Sequence, residues 1–279
     1  MTNIQFIPSA IDAGGCVSNG WELIKPNYWM YFGITALIAV ISIVLSCIPF
    51  VPILFQIFVM PPITIGIFLV LFRAMRNEPV DFGMYFNGFD RYVPAMVVGL
   101  ISSIPSVIAL ILNFALNIGS FAAQILQGAA GRSSRSNFLQ PQNFVQSDNA
   151  APLIAGGLLI VVVIVAVVFM LFSIAWGITF FFALPILAEN DIAAIDAIKL
   201  SARAGWSNVG GIIVLVIFEF LMLLVGVIAL CVGVLFVLPV VYAANAFAYR
   251  QVFPWIEQNF NMNPPPPGAY GSNFGSGMQ

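Results

Sequence analysis

The sequence contains no histidine, three cysteines and few charged residues. Histidine is the commonest general base and metal ligand, so its absence removes the usual residue for either chemistry. Cys16, Cys47 and Cys231 show neither metal-binding nor redox spacing. No paired carboxylates occur within an apolar segment, and no Ser or Cys has an evident base. We therefore predict that the chain is not an enzyme and has no catalytic, metal-binding or cofactor-binding residues.

Charge is scarce throughout the chain. Lys, Arg, Asp and Glu make up 7% of the 279 residues, whereas soluble proteins carry about 25%. Hydrophobic residues make up 61%, with a mean hydropathy of +1.03. This balance predicts an all-α integral membrane protein. The net charge of −2 predicts no nucleic-acid partner.

Long apolar segments predict about six transmembrane helices, because roughly 20 apolar residues cross the hydrocarbon layer. The segments lie at about residues 28–49, 52–72, 92–118 and 152–188, with two more in 209–249. Pro61-Pro62 and Pro105 lie inside spans and predict kinks. Gly226 to Gly233 is the natural turn between the last two helices.

The segment 152–188 is too long for one simple crossing. It forms either one tilted helix that breaks near Gly177 or Pro185, or two short crossings. Lys and Arg concentrate in cytoplasmic loops, which decides between these alternatives. A single crossing leaves only Arg132 and Arg135 outside, so it is favoured. Both termini are then cytoplasmic, and the expected location is a bacterial inner membrane.

These spans define one polytopic domain over residues 1–258. Residues 119–151 are rich in Gly, Ser, Asn and Gln and predict an exposed loop. Residues 259–279 contain four consecutive prolines and few groups that could form a core, so they predict a disordered tail.

Two parts of the chain, at about residues 9–76 and 191–252, resemble each other. Each has an Ile-Asp-Ala tripeptide, a Gly-Trp pair, an Asn and then a hydrophobic hairpin. Eleven residues after a proline, each hairpin ends in an aromatic-Arg pair: Pro62 with Phe72-Arg73, and Pro239 with Tyr249-Arg250. This predicts pseudo-duplicated helical hairpins around the central spans, with chance similarity as the alternative.

Each unit is predicted to begin with an interfacial amphipathic helix. In the second unit, residues 191–205 place four apolar side chains on one face: Ile192, Ile195, Ile198 and Ala202. Four residues at the ends of helices are predicted interfacial anchors: Trp21, Trp206, Arg73 and Arg250.

Glu219 is the one ionisable residue deep in a span. A carboxylate at this depth is a functional-site hypothesis by default. Its predicted polar partners within the membrane are Gln56, Asn113 and Asn245. Three interpretations stay open: a neutral Glu that joins two helices, a proton or cation relay, and an oligomer contact.

Two further hypotheses concern the ends of the spans. The charged segment from Arg73 to Arg91 contains interleaved aromatic residues, which predict either an aromatic belt at the membrane interface or a docking surface for lipid headgroups or a partner. Cys47 and Cys231 occupy corresponding turns, so they form either a disulfide or two buried thiols.

Three motifs carry a resemblance to known families: residues 81–89 around Asp81-Phe82 and Phe86-Asn-Gly-Phe89, Ala183-Leu-Pro-Ile-Leu187, and Ala197–Ser201 followed by Gly205-Trp206-Ser-Asn208. With these motifs the chain resembles bacterial multi-pass membrane protein families of unknown function. They are related to the membrane domain found attached to some glycerophosphodiester phosphodiesterases. The resemblance implies a helical membrane fold and no catalytic activity.

We therefore predict a non-enzymatic integral membrane protein that acts through protein or lipid contacts, as a scaffold, assembly factor or accessory subunit. Its expected partners are membrane lipids, with other proteins or further copies of itself as additional candidates. The alternative is a small proton- or ion-coupled transporter or channel that uses Glu219.

Overall fold

The computed structural model describes residues 6–48, 51–114, 118, 125, 150–229 and 232–255, and its regular structure is helical throughout these residues. The predicted tail 259–279 lies outside them, as does most of the predicted loop 119–151. Eleven α-helices are named here in chain order: α1 Ala13–Ile24, α2 Tyr28–Ser46, α3 Val51–Phe58, α4 Met60–Met75, α5 Tyr92–Ser102, α6 Ile104–Phe114, α7 Ala150–Phe180, α8 Ala183–Glu189, α9 Ala194–Ser207, α10 Val209–Ile228 and α11 Val232–Val252. A 3-10 segment, Phe82–Arg91, precedes α5 and is called the connector.

Within the described residues, four helices are long and apolar enough to cross a membrane, and six if each of two bent pairs counts as one span. The bent pairs are α3 with α4, at 42°, and the connector and α5 with α6, at 45°. The first bend lies directly before Pro61-Pro62 and the second directly before Pro105. The predicted kinks are therefore confirmed. Pro239, by contrast, lies inside an uninterrupted α11.

The segment 152–188 forms one helix of 31 residues, α7, followed by a short turn and α8. The turn falls between the two positions predicted for a break. Ser201 of α9 holds it, because its hydroxyl donates to the carbonyl of Thr179 at 2.7 Å and accepts from the N–H of Phe182 at 3.1 Å. The Ser201 hydroxyl thus forms hydrogen bonds with a backbone carbonyl and an amide that have no partner within the helix where α7 ends.

The last apolar block forms two helices, as predicted. α10 ends at Ile228 and α11 begins at Val232, inside the turn expected between Gly226 and Gly233. These two glycines let the helices meet closely, since a Cβ added to Gly226 would lie 2.8 Å from the amide nitrogen of Val234.

Three segments that each precede a span pack against a helix from elsewhere in the chain. α1 packs mainly on α11, the connector on α4, and α9 on α7. Each contact contains a glycine whose added Cβ would meet backbone: Gly20 at Ala244, Gly88 at Pro62, and Gly205 at Ile178. In lipid, helices associate by close packing of small residues rather than by hydrophobic exclusion of water. These glycines therefore set the three contacts.

Aromatic side chains fill the centre between these helices. Phe72, Phe182 and Tyr249 have exposed fractions of 1% or less. The ring centroids of Phe72 and Tyr249 lie 5.2 Å apart, and those of Phe182 and Tyr249 lie 6.3 Å apart. α4, the turn before α8, and α11 thus meet at one aromatic cluster.

A helix, α9, is present where the second interfacial helix is predicted, and the face that packs on the rest of the chain differs from the predicted apolar face. Small side chains form the buried face: Ala194, Ala197, Ser201, Ala204 and Gly205. Ile195, on the predicted apolar face, is 58% exposed. The reason is that small residues let α9 approach α7 closely, whereas the larger isoleucine projects away.

The N-terminal segment ties together the ends of three helices. The amide of Ile7 donates to the carbonyl of Val252 at 2.9 Å, and that of Asp12 to the side chain of Gln251 at 2.7 Å. Asn208, only 2% exposed between α9 and α10, accepts from the amide of Ala10 at 2.9 Å. This segment is called the N-terminal strap, residues 7–12.

Candidate functional site

The strongest polar constellation among the described residues centres on Arg250 in the last turn of α11. Its Nη1 donates to both carboxylate oxygens of Glu189, at 2.7 and 2.9 Å. The hydroxyl of Tyr249 donates to the same carboxylate at 2.8 Å. The Arg250 side chain is 9% exposed and that of Glu189 23%, so this ion pair lies largely away from solvent.

Aromatic rings surround the guanidinium of Arg250. Its Cζ lies 4.2 Å from the ring centroid of Phe72, 4.2 Å from that of Trp255 and 5.3 Å from that of Tyr249. Such contacts stabilise a cation by the ring quadrupole. They do not satisfy N–H donors, which lie in the guanidinium plane, and Nε and Nη2 are buried without a hydrogen-bond partner.

A second arginine fixes the other side of α8. Nη1 of Arg91, at the end of the connector, donates to the carbonyl of Leu187 and, at 2.7 Å, to that of Asn190. These carbonyls lie at the C-terminal end of the helix, where acceptors lack partners and a positive charge is favourable. Together Arg91 and Arg250 attach α8 to the connector and to α11, and we call this group the arginine clamp.

Beside the clamp lies a pocket of about 600 Å³. Its walls come from α1, α4, α11 and the residues after α11: Leu23, Ala74, Met75, Asn77, Phe247, Arg250, Pro254 and Trp255. The guanidinium of Arg76 also lies near it, 5.6 Å from the ring of Trp255. The pocket therefore combines apolar walls with the guanidinium group of Arg250, and a second guanidinium group, that of Arg76, lies next to its Trp255 wall. We call it the arginine pocket.

Asn77 holds its place in this pocket through the end of α4. It adopts φ of 58°, and the amides of Asn77 and Glu78 donate to the carbonyls of Ala74 and Arg73, each at 3.0 Å. This is a Schellman C-cap, in which a left-handed residue follows the helix. Asn tolerates that conformation better than most residues.

Glu219 lies where α10 meets α1 and α11. Asn245, one of its three predicted partners, interacts with its carboxyl group, and Cys16 of α1 lies close enough for electrostatic influence. Oε1 of Glu219 and Oδ1 of Asn245 are both buried without a hydrogen-bond partner. Asn113 lies in α6. Neither the arginine pocket nor the pocket at Gln56 is lined by Glu219.

Gln56, the third predicted partner, faces a separate pocket of about 230 Å³ where the two bent pairs touch. Hydroxyl groups contribute much of its lining: Thr64, Ser102, Ser103, Ser106 and Tyr242. Pro61 and Gly99 meet beside it, since a Cβ on Gly99 would overlap the proline ring. We call this the bend pocket.

The remaining predicted site residues lie at the ends of helices. Trp21 is 42% exposed and Trp206 55%, as expected of side chains at an interface. Nη1 of Arg73 donates to the sulfur of Met84 at 3.3 Å. Cys47 is exposed and free, and Cys231 lies outside the described residues, so their disulfide stays a prediction.

Sequence reasoning missed Glu189 and Trp255. Arg250 was recognised only as an anchor facing the interface, although its side chain binds within the protein. A usable signal was present, because Glu189 lies two residues after the Ala183-Leu-Pro-Ile-Leu187 motif, directly before a polar break in the apolar sequence. An acidic residue at that depth requires a cation nearby.

The fold and these sites define a helical protein with several apolar helices of membrane-spanning length. Groups of three or more His, Cys, Asp or Glu side chains able to hold a metal are absent from the described residues. No family model, curated protein or solved structure matches the chain. The resemblance drawn in the sequence analysis therefore rests on its three motifs alone.

Proposed function

We propose that the chain is a non-enzymatic integral membrane protein that acts through protein and lipid contacts, with α7 as its contact helix. The observation that supports this proposal is the low fraction of α7 residues that are buried against the rest of the chain. In the most apolar window of the span Val163–Glu189, which joins the second half of α7 to α8, 6% of the residues are buried, against 33% in α11. A helix of this kind needs lipid or another protein around it.

The exposed side chains of α7 support a contact role because they include consecutive residues, which point in different directions around a helix. They extend over more than three turns: Ile160, Val163, Ile164, Val165, Val167, Val168, Met170, Leu171, Phe172 and Ile174. The α8 end of this span is fixed by the arginine clamp. α7 is therefore held at one end and open along its length, as expected of a docking helix in a scaffold or accessory subunit.

The proposed orientation places the arginine clamp in the cytoplasm of a bacterial cell, with both termini on that side. Its support is that Arg76, Arg91 and Arg250 cluster at one end of the helices, consistent with the concentration of basic residues in cytoplasmic loops.

We also propose that the hairpins arose by duplication. The support is that Phe72 and Tyr249, which correspond in the two sequence units, contact each other. The Gly-Trp pairs at Gly20 and Gly205 also make the same kind of close helix contact. The pair Gly88-Phe89 makes a third such contact, which extends the pattern to the central spans.

Photo-crosslinking in native membranes tests the proposed function. A photoreactive residue at Val168 of α7 is compared with one at Phe220 of α10, since these side chains are 61% and 63% exposed. We expect discrete protein adducts at position 168 and mainly lipid adducts at 220. Equal yields of lipid adducts at both positions, without a discrete protein band, would contradict α7 as a docking helix.

A second candidate function is a small ion- or proton-coupled transporter. The bend pocket favours it, because interrupted helices that expose hydroxyl groups at membrane depth are typical of transporter sites. Glu219 belongs to a different cluster, so the two regions make separate predictions. In liposomes containing the purified chain, a proton or cation flux lost in Glu219→Gln or Gln56→Leu would support this function over the docking role.

A further inference from the structure

We infer that the arginine pocket binds the phosphodiester headgroup of an anionic phospholipid. This rests on the proposed function and specifies its lipid contact. The starting observation is that Arg250 has two donor atoms, Nε and Nη2, buried without a partner, in a side chain that is 91% buried. Buried hydrogen-bond donors of a charged group destabilise the folded protein when they have no acceptor.

Glu189 does not accept a hydrogen bond from either of these two donors. Both of its oxygens bind Nη1, and one of them also accepts from Tyr249. Glu78, which follows α4, is paired with Arg76 at 3.5 Å. An additional anion with several acceptor oxygens is therefore the group that would complete the site. Arginine binds phosphate oxygens in this way through its planar set of donors.

The walls of the pocket identify a lipid rather than a soluble anion. Leu23, Met75 and Phe247 form an apolar surface next to the polar groups, and the volume of about 600 Å³ exceeds what a lone phosphate would fill. A phospholipid presents the matching order of groups, a phosphate followed by acyl chains. Basic pockets between helices near the membrane surface bind lipid headgroups on the same principle.

Trp255 forms the outer wall. Its ring is 41% exposed and lies close to the guanidinium groups of both Arg250 and Arg76. Because Nε and Nη2 of Arg250 have almost no accessible surface, a phosphate oxygen reaches them only when neighbouring side chains shift, and the half-exposed Trp255 ring is the one on the pocket side. Tryptophan is favoured at the headgroup level, where one part of the ring is apolar and another can form hydrogen bonds.

Titration of dioleoylphosphatidylglycerol into the detergent-solubilised full chain, followed by native mass spectrometry, tests the inference. Arg76→Gln removes a pocket charge and releases Glu78. Lys199→Gln is its control, since it also removes an exposed cation paired to a carboxylate, with Asp196 at 4.0 Å. Asn77→Asp adds a negative charge at the rim, and Asn77→Gly keeps the left-handed backbone without that charge.

We expect Arg76→Gln and Asn77→Asp each to weaken the tightest lipid site about tenfold. Lys199→Gln should leave that affinity unchanged, and Asn77→Gly should weaken it less than Asn77→Asp does. Dioleoylglycerol, which lacks the phosphate, should not occupy the site. Equal effects of Arg76→Gln and Lys199→Gln would overturn the inference, because they would indicate a nonspecific annulus of lipid.

Two further measurements distinguish a bound lipid from other anions that could occupy the site. Inorganic phosphate binding as tightly as the lipid would overturn the lipid assignment and identify a soluble anion. Glu257 follows Trp255 by two positions. If Glu257→Gln raised the lipid affinity about tenfold, the Glu257 carboxylate would be the group that competes for the arginine donors, and the lipid assignment would be overturned. Loss of lipid specificity with unchanged crosslinking at Val168 would refute this inference alone and leave the docking role of α7 intact.

Discussion

Tyr249 stacks on Phe72 with a centroid distance of 5.2 Å and an angle of 29°, while its hydroxyl donates to Glu189. One side chain therefore joins the aromatic cluster to the ion pair at the ends of the helices. The aromatic packing and the largely buried ion pair are consequently parts of one structure, and changes in either should affect the other.

Tyr249→Phe is expected to lower the free energy of unfolding by about 1.5 kcal/mol. The change keeps the stacked ring but removes a hydrogen bond to a charged acceptor. Tyr28→Phe is the control, because its hydroxyl donates to the carbonyl of Phe236 in an exposed position. Thermal unfolding in detergent, followed by circular dichroism, measures both variants. An equal loss in the two would contradict a special role for the Glu189 bond.

Removing one member of the Glu189–Arg250 pair should cost more than removing both. Glu189→Gln or Arg250→Gln alone leaves a largely buried charge uncompensated, with an expected loss of about 3 kcal/mol. The double variant should recover part of that loss. A double-mutant cycle in chemical unfolding provides the measurement. Strictly additive losses would mean that the two side chains do not stabilise each other.

Gly66→Ala should destabilise the chain by about 3 kcal/mol, because the added Cβ would overlap the backbone of Tyr85 in the connector. Gly177→Ala is the matched change inside another helix. No atom lies within 4 Å of the position of its added Cβ. It should stabilise by up to about 1 kcal/mol, since alanine loses less conformational freedom. Melting temperatures in one detergent compare the two, and equal shifts would refute close packing of α4 on the connector.

Glu219→Gln should preserve stability, whereas Glu219→Leu should lose about 1 kcal/mol. Oε1 of Glu219 and Oδ1 of Asn245 are both acceptors without a donor. In the interpretation of Glu219 as a neutral residue that joins two helices, its carboxyl group supplies the missing hydrogen, and an amide can replace it, but leucine cannot. Unfolding in detergent distinguishes the variants. If glutamine destabilised as much as leucine, the hydrogen-bond interpretation of this residue would fail.

Apolar length predicted the long apolar helices, and Pro61-Pro62 and Pro105 predicted the two bends, because both are local properties. The bends before Pro61 and Pro105 follow from a lost backbone hydrogen bond and a steric clash at the proline. The turn after Ile228 follows from helix length and nearby glycines.

The arginine clamp could not be predicted in the same way. Arg250 and Glu189 are separated by 61 positions, and their pairing depends on how α8 and α11 meet. For α9, the apolar pattern identified the helix, but side-chain size decided which face packs. Ala197, Ser201 and Gly205 are weak signals on a hydropathy scale and strong ones for close approach.

The N-terminal strap has a consequence for biosynthesis. Asp12 donates to a side chain 239 positions later, and Ile7 donates to a residue at the end of the final helix. In the order of synthesis these acceptors follow α1 to α10, so the strap stays without these partners while those helices are made. The native contacts of the strap therefore form only after α11 has been synthesised. Loss of the last turn of α11 would leave the beginning of the protein without its partners.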